Sequence, residues 1–248
     1  MKAMVLAAGL GTRLRPLTDD RPKALVKVGE RTLLEITLLR LRGFGVREVI
    51  VNVHHFADMV IDYLKANGNF GMRIEVSREE ALLDTGGGLK KAAHFFLKNS
   101  TDLDEPFILH NVDVISTIHL GRMVQFHGEN QALATLAVQE RETSRYLLFD
   151  ERMQLCGRRA GDGESEVVRA ASRVNALAFS GVHVISPHIF EKMTGNGAFS
   201  IIPTYLHLAA QGENIHGFRA DEYYWRDLGR PENVTGVEQD LKNKVLTY

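Results

Sequence analysis

The chain has 248 residues, 44% of them hydrophobic and 25% charged, with 22 glycines and 6 prolines, a balance that excludes a disordered, collagen-like or low-complexity protein. Its 30 Lys and Arg against 31 Asp and Glu give a net charge of −1, so a nucleic-acid-coating role built on many phosphate contacts is not expected. A single cysteine, Cys156, excludes an internal disulfide framework and a multi-cysteine metal cluster.

Ala3 to Ala7 is a short, unbroken apolar run closed by glycines, the pattern of a strand buried on both faces. From Thr32 the chain turns helical, with Leu33, Leu34, Ile36, Leu38, Leu39 and Leu41 at about 3.6-residue spacing and Gly43 and Gly45 as stops. Glu48 to Val53 reads as a strand and Ala57 to Leu64 as a helix ending near Asn67-Gly68. Arg73 to Ser77 is a third strand, Leu89 to Leu97 a third helix and Pro106 to His110 a fourth strand. Four alternations of strand and helix predict parallel strands with helical crossovers on both faces of the sheet. Later come short strands at Ala132 to Val138, Tyr146 to Phe149 and Gln154-Leu155, then a polar loop or hairpin over Arg158 to Arg173. Ala176 to Ile185 is a further strand; helices are expected near Pro187 to Met193 and Pro203 to Gln211. Asn214 to Phe218 and Tyr223 to Trp225 read as late strands, and Pro231 to Lys244 as a closing helix with proline at its first position. The whole of 1–248 is expected to form one domain of two halves, residues 1–130 and 131–248. No apolar run approaches the roughly 18 residues of a membrane span, and the N-terminal apolar stretch is too short for a signal sequence. A cytoplasmic protein is expected.

After the first strand comes Gly9-Leu10-Gly11-Thr12-Arg13-Leu14-Arg15-Pro16-Leu17-Thr18, then Pro22-Lys23. Glycines there allow backbone N–H groups to approach a phosphate or a flat base, at the strand ends where open α/β sheets bind ligands. Arg13 supplies a planar fork for phosphate oxygens and Lys23 a compact point charge. Leu14 stands where a dinucleotide fingerprint needs its third glycine, and no Gly-Lys-Ser/Thr follows, so neither that motif nor a Walker A loop is present. The bland reading is a strand-to-helix turn with solvated arginines, but long loops without secondary structure are usually functional.

This ordered run resembles the signature of sugar-1-phosphate nucleotidylyltransferases, which join a nucleoside triphosphate to a sugar 1-phosphate and release pyrophosphate. The resemblance implies a three-layer, Rossmann-like fold of glycosyltransferase-A type, with a mixed, mainly parallel sheet. It implies that Leu6, Ala8 and Gly9 line the base and that Gly11, Thr12 and Arg13 hold the triphosphate. Lys23 would contact the reacting phosphates, Arg13 the leaving pyrophosphate. Glu79 to Leu89 contains Asp84-Thr85-Gly86-Gly87-Gly88. By itself this reads either as a glycine-rich ligand contact or as a flexible helix entry capped by Thr85. It is similar to the family stretch that reads nucleobase and ribose, implicating Asp84, Thr85, Gly86 and Gly87. Its form looks most like the N-acetylmuramate-1-phosphate uridylyltransferase branch and its mannose-1-phosphate guanylyltransferase relatives.

His110-Asn111-Val112-Asp113 closes the fourth strand, so the Asp113 carboxylate points into the crevice and needs a cation there, unless it simply caps a turn. The family has Gly-Asp at this place; Val112, being β-branched, disfavours positive φ, so a different local backbone is expected. Trp225-Arg226-Asp227-Leu228-Gly229-Arg230-Pro231-Glu232 resembles the family's Trp-x-Asp-x-Gly-x-Pro-Glu. On its own Asp227 reads as turn chemistry before the helix at Pro231; the likeness alone pairs it with Asp113 as Mg²⁺ ligands, and Asn111 is expected in the nucleotide site. Arg145 to Phe149, Ala178 to Gly181 and Phe199 to Ile201 fall where related enzymes bind the sugar phosphate. Gly181 is the best of these by close backbone approach, and Trp225 either stacks on the sugar or packs in the core. The expected substrates are thus UTP or GTP and a sugar 1-phosphate, with Mg²⁺ as cofactor and no nucleic-acid, membrane or protein partner evident. The rival reading is a non-catalytic, nucleotide-sugar-binding regulatory protein of the same fold.

Overall fold

The computed structural model describes residues 1–98, 105–161 and 163–246. The first half alternates as its hydrophobic periodicity predicts. β1 (Lys2–Leu6) is followed by the small hairpin β2 (Lys27–Val28) and β3 (Arg31–Thr32), then α1 (Leu33–Phe44), β4 (Glu48–Val53), α2 (Ala57–Ala66) and β5 (Arg73–Arg78). α3 (Asp84–Lys91) and α4 (Ala93–Leu97) lead to β6 (Phe107–Asn111) and the three-residue β7 (Val114–Ser116). The Thr32 hydroxyl caps α1 by accepting from Glu35 N at 3.1 Å, and Gly45 ends it in the left-handed conformation (φ 107°).

α5 (Leu120–Glu129) had no predicted counterpart. Its cap is the His119 ring, accepting from Arg122 N at 3.1 Å, rather than a Ser, Thr, Asp or Asn that flags a helix start. Next come β8 (Ala134–Gln139), β9 (Arg145–Phe149), β10 (Leu155–Ala160), β11 (Ser165–Val167) and the eleven-residue β12 (Asn175–Ile185). The polar Arg158 to Arg173 stretch is therefore the hairpin β10–β11. α6 (Ile189–Lys192), α7 (Ile201–Ala210), β13 (Ile215–Arg219), β14 (Trp225–Asp227) and α8 (Pro231–Lys242) complete the described chain.

β6, β1, β4 and β5 are parallel neighbours, and β12 lies antiparallel to β6, β8 and β9. The result is a mixed, mainly parallel sheet between two helical layers. Successive residues of a strand point to opposite faces, and both faces are covered. Ala3, Val5, Val49, Val51 and Ile108 pack in one core, whereas Met4, Ile50, Phe107 and Leu109 pack in the other. That double burial is why these strands lack polar alternation.

Two imidazoles sit inside these layers. Burial pushes His127 down to about 4 and His183 down to about 3; their Nδ1 atoms meet Thr135 Oγ1 and Tyr205 Oη, each at 3.0 Å. Both stay neutral when folded but take a proton below pH ~6.5 when unfolded, so the unfolded state binds more protons as pH falls from about 6.5 towards 4. Stability must drop across that window. Urea unfolding at pH 7 and pH 4.5 is expected to show a smaller pH-induced loss in His127→Gln than in the parent; equal losses would contradict the assignment.

Candidate active site

β1 delivers the glycine loop at the carboxyl edge of the sheet, and two side chains fix it there. Ala7 N donates to Asn52 Oδ1 at 2.8 Å, and Asn52 Nδ2 donates to Glu79 Oε1 at 2.7 Å. Glu79 Oε2 then accepts from Leu83 N at 2.9 Å. One buried amide and one buried carboxylate thus lock the first glycine loop to the second. Gly11 holds φ +67°, and a Cβ there would sit 3.0 Å from Thr18 Cγ2 and 3.3 Å from Lys23 Cβ. Glycine is required for both reasons. Beyond it, a one-turn 3-10 helix (Thr12–Leu14) buries Leu14 and leaves Thr12 and Arg13 exposed.

A two-stranded ribbon carries Asp227 to the segment that follows Asp113. β14 pairs antiparallel with β7 so that Asp227 faces Val114, and Leu228 N donates to Asp113 O at 2.8 Å. Asp227 thus stands opposite the residue that follows Asp113, although the two acids are 114 positions apart in sequence. Lys23 Nζ forms an ion pair with Asp113 Oδ2, with both side chains largely buried. The backbone at Gly229 is flanked by Asp227 Oδ1 and Arg13 Nη2, which lie 2.6 Å and 3.1 Å from where its Cβ would be. Arg13 and Asp227 thus share one corner. Val112 keeps a negative φ and donates its N–H to Leu6 O at 3.1 Å; the turn needs no glycine.

Behind this turn the His110 ring is held by burial at about 3, hence neutral. Its Nδ1–H donates to Asn111 O at 2.8 Å while Nε2 accepts from Arg40 Nη1 at 3.0 Å. Arg40 also donates to Ser116 Oγ at 3.0 Å and to Ile118 O, bracing β7 from the rear.

A cavity of about 440 Å³ opens in front of the strand ends. Leu6, Ala8 and Gly9 line one wall; Asp84 and Thr85 line another; Lys23, Asn111 and Asp113 lie at its inner end. Asn111 Oδ1 is buried there without a hydrogen-bond partner among the described residues. That amide oxygen and the Asp113 and Asp227 carboxylates would together make an all-oxygen donor set, which suits a hard divalent cation such as Mg²⁺.

Residues 2–149 match the family described as "Nucleotidyl transferase". The chain belongs to that family. Over 247 residues, 96% of each chain, it is 36% identical to the N-acetylmuramate alpha-1-phosphate uridylyltransferase of Caulobacter vibrioides. It is 31% identical to the mannose-1-phosphate guanyltransferase of Yarrowia lipolytica, matching 94% of this chain but only 62% of that protein. Among solved structures, HddC from Yersinia pseudotuberculosis complexed with GMP-PN superposes with a TM-score of 0.75 at 21% identity, covering 97% of this chain and 99% of that one. UDP-glucose pyrophosphorylase complexed with UDP-glucose also gives 0.75, at 18% identity and 98% coverage of both. At such identities these two establish the shared fold.

Within this nucleotidyl transferase, several expected contacts take another form. Gly86 and Gly87 do not line the cavity. With Gly88 they are buried inside the first turns of α3, where a Cβ at Gly87 would sit 2.2 Å from Gly197 O and one at Gly86 2.5 Å from the Phe199 ring. The N–H groups of Gly86 and Gly87 donate to Phe199 O at 2.8 and 3.1 Å. The close approach predicted for a ligand is made by the protein's own 195–199 segment, which outweighs the roughly 1 kcal/mol of helix propensity lost at each glycine. Thr85 Oγ1 accepts from Ile201 N at 3.0 Å, so it caps α7, not its own helix. Gly181, at φ +73°, makes room for Val114 and Asn111. Trp225 donates from Nε1 to Ser180 O at 2.8 Å, and the Arg141 guanidinium covers a ring face 3.7 Å from its centroid. Asn52, Arg40 and Arg141 were not singled out from sequence; only Asn52 carries a signal, as the polar residue of an otherwise apolar strand.

Proposed function

We propose that this chain transfers a uridylyl group from UTP to a sugar 1-phosphate. A phosphate oxygen of the sugar attacks the α-phosphorus in line, the bond from that phosphorus to the α,β-bridging oxygen breaks, and pyrophosphate leaves with the electron pair. The observation that carries this reading is the placement of Asp227 on β14 opposite Val114, the residue after Asp113, with Asp113 and Lys23 both lining the cavity. Full-length similarity to a uridylyltransferase supports uridine over guanosine.

Both reactants are anions, so charge neutralisation and positioning account for most of the catalysis. A sugar phosphate is already ionised near neutral pH, since its second pKa is about 6, and no protein base is needed. Asp113 and Asp227 would hold Mg²⁺, which when bound offsets the charge of the two phosphate groups. Lys23 neutralises the transferring centre, and Arg13, exposed beside Gly229, receives the departing pyrophosphate. Leu6, Ala8, Gly9, Asp84 and Thr85 form the nucleoside wall. The chain carries both acidic and both basic groups, which favours an enzyme over a regulatory binder.

Pyrophosphate release measured for UTP and GTP against a panel of sugar 1-phosphates, with Mg²⁺, tests this. Turnover is expected with UTP and abolished by a chelator. GTP turnover alone would move the assignment to guanylyl transfer; nucleotide binding without pyrophosphate from any pair would favour the regulatory protein.

A further inference from the structure

Gly88 is buried in α3, and a Cβ there would sit 2.8 Å from Asn52 Nδ2 and 2.9 Å from Glu79 Oε1. Glycine at this position leaves room for the link between those two side chains, each only 2% exposed. Across the sheet, Leu6 of β1 pairs with Asn52 of β4, and Asn52 pairs with Ser77 of β5. Asn52 therefore stands at the level where β1 releases the glycine loop, and it lines the cavity itself. Strand order puts β4 on one side of β1 and β6, which leads into Asp113, on the other. The link and the Asp113 turn thus lie on opposite flanks of the glycine loop.

The hydrogen bonds along the link admit one arrangement. Ala7 N can only donate, so the Asn52 amide must present Oδ1 to it and Nδ2 to Glu79. Leu83 N, on the other oxygen of Glu79, can only donate as well. Both Glu79 oxygens must therefore accept, which requires a carboxylate; a glutamine would turn its NH₂ against one of the two donors. The link joins two walls of the cavity, Leu6 to Gly9 on one and Leu82, Asp84 and Thr85 on another. Backbone groups read a base edge only within hydrogen-bond range, about 2.7–3.2 Å. A shift of about 1 Å between the walls would forfeit such contacts.

We propose that Asn52 and Glu79 are positioning residues that set the nucleotide selectivity of this site. They act by fixing the spacing of its two walls, through the backbone they hold rather than on the reacting phosphates. This rests on the nucleotidylyl-transfer reading.

Reversing the polarity of the link tests it. Glu79→Gln leaves one donor facing the new amide. Adding Asn52→Asp restores every contact: the new carboxylate accepts from Ala7 N and from that amide, whose oxygen accepts from Leu83 N. For UTP, CTP, GTP and ATP, kcat/KM is measured with the sugar 1-phosphate that the parent turns over best, and Kd by calorimetry without it. Thermal unfolding is followed on each variant. In Glu79→Gln the kcat/KM ratio of the preferred nucleotide to the next is expected to fall about tenfold, mostly through KM for the preferred one. KM for the sugar 1-phosphate and the half-maximal Mg²⁺ concentration should stay unmoved. The double variant should recover the ratio. Gly88→Ala, which crowds the link without altering its polar groups, should lower the ratio as Glu79→Gln does; where Glu79→Gln does not fold, it and the double variant carry the comparison. A merely structural role would lower the unfolding temperature and all rates together and leave the ratio intact. The proposal is overturned by a parent with no preference among the four, or by a ratio unchanged in Glu79→Gln and Gly88→Ala. A double variant that melts like the parent with the ratio still low overturns it too. If no acceptor yields pyrophosphate the transferase reading falls, and the Kd ratios still decide whether the link sets selectivity.

Discussion

Replacing Asp113 with asparagine is expected to lower turnover by about a thousandfold or more, and Asp227→Asn by a similar factor, because each removes a full negative charge from the place where two polyanions must be held. The two changes should differ in what else they disturb. Asp113 is the ion-pair partner of Lys23, whose side chain is only 11% exposed, so Asp113→Asn also strands a largely buried ammonium and should cost about 1–3 kcal/mol of stability. The Asp227 carboxylate accepts from Gly229 N, and its backbone O accepts from Asn233 Nδ2 at 2.7 Å. Asparagine can keep the first of these bonds and leaves the second untouched, so Asp227→Asn should unfold near the parent temperature. Pyrophosphate release and thermal unfolding on both variants check this. If either retains more than about a tenth of parent turnover, the carboxylate it lost does not carry the role assigned here.

The partnership of these carboxylates shows what the sequence can and cannot convey. Asp113 was legible as a carboxylate at the end of an apolar strand, because buried parallel strands deliver their last side chains to the crevice. Its partner was not. Nothing local to Trp225-Arg226-Asp227 says that it pairs with Val114-Ile115-Ser116, since a three-residue strand shows no periodicity and its pairing is decided by tertiary packing; only resemblance to a family motif joined the two. The glycine cluster failed in a different way. Gly86 to Gly88 signalled close approach correctly, yet a missing Cβ does not say whether ligand or protein fills the space, and here Gly197 and Phe199 do. The early start of α3 was hidden for the same reason, because three poor helix formers argue against a helix that packing imposes. Arg159 was illegible for another reason: arginines in a polar stretch normally face solvent, and only the register of β9 and β10 sets it opposite Tyr146.

Lys23→Met should lower kcat by about a hundredfold to a thousandfold, and it should do something a loss of fold would not. In the structure the ammonium of Lys23 already neutralises Asp113. A divalent cation that approaches this carboxylate must share it with, or displace, that ammonium. Removing the ammonium therefore strips a charge from the reacting phosphates and at the same time frees Asp113 for the cation. The Mg²⁺ concentration giving half-maximal activity is expected to fall in Lys23→Met even as kcat collapses, whereas damage to the site would raise it. Arg13→Met is the comparison, since Arg13 makes no ion pair with Asp113 and only shares the surroundings of Gly229 with Asp227. It should reduce kcat by about a hundredfold and lower the Mg²⁺ requirement less than Lys23→Met does. Should both variants shift the Mg²⁺ requirement upward, Lys23 and the cation do not compete for Asp113, and the contact between Lys23 and that carboxylate is structural only.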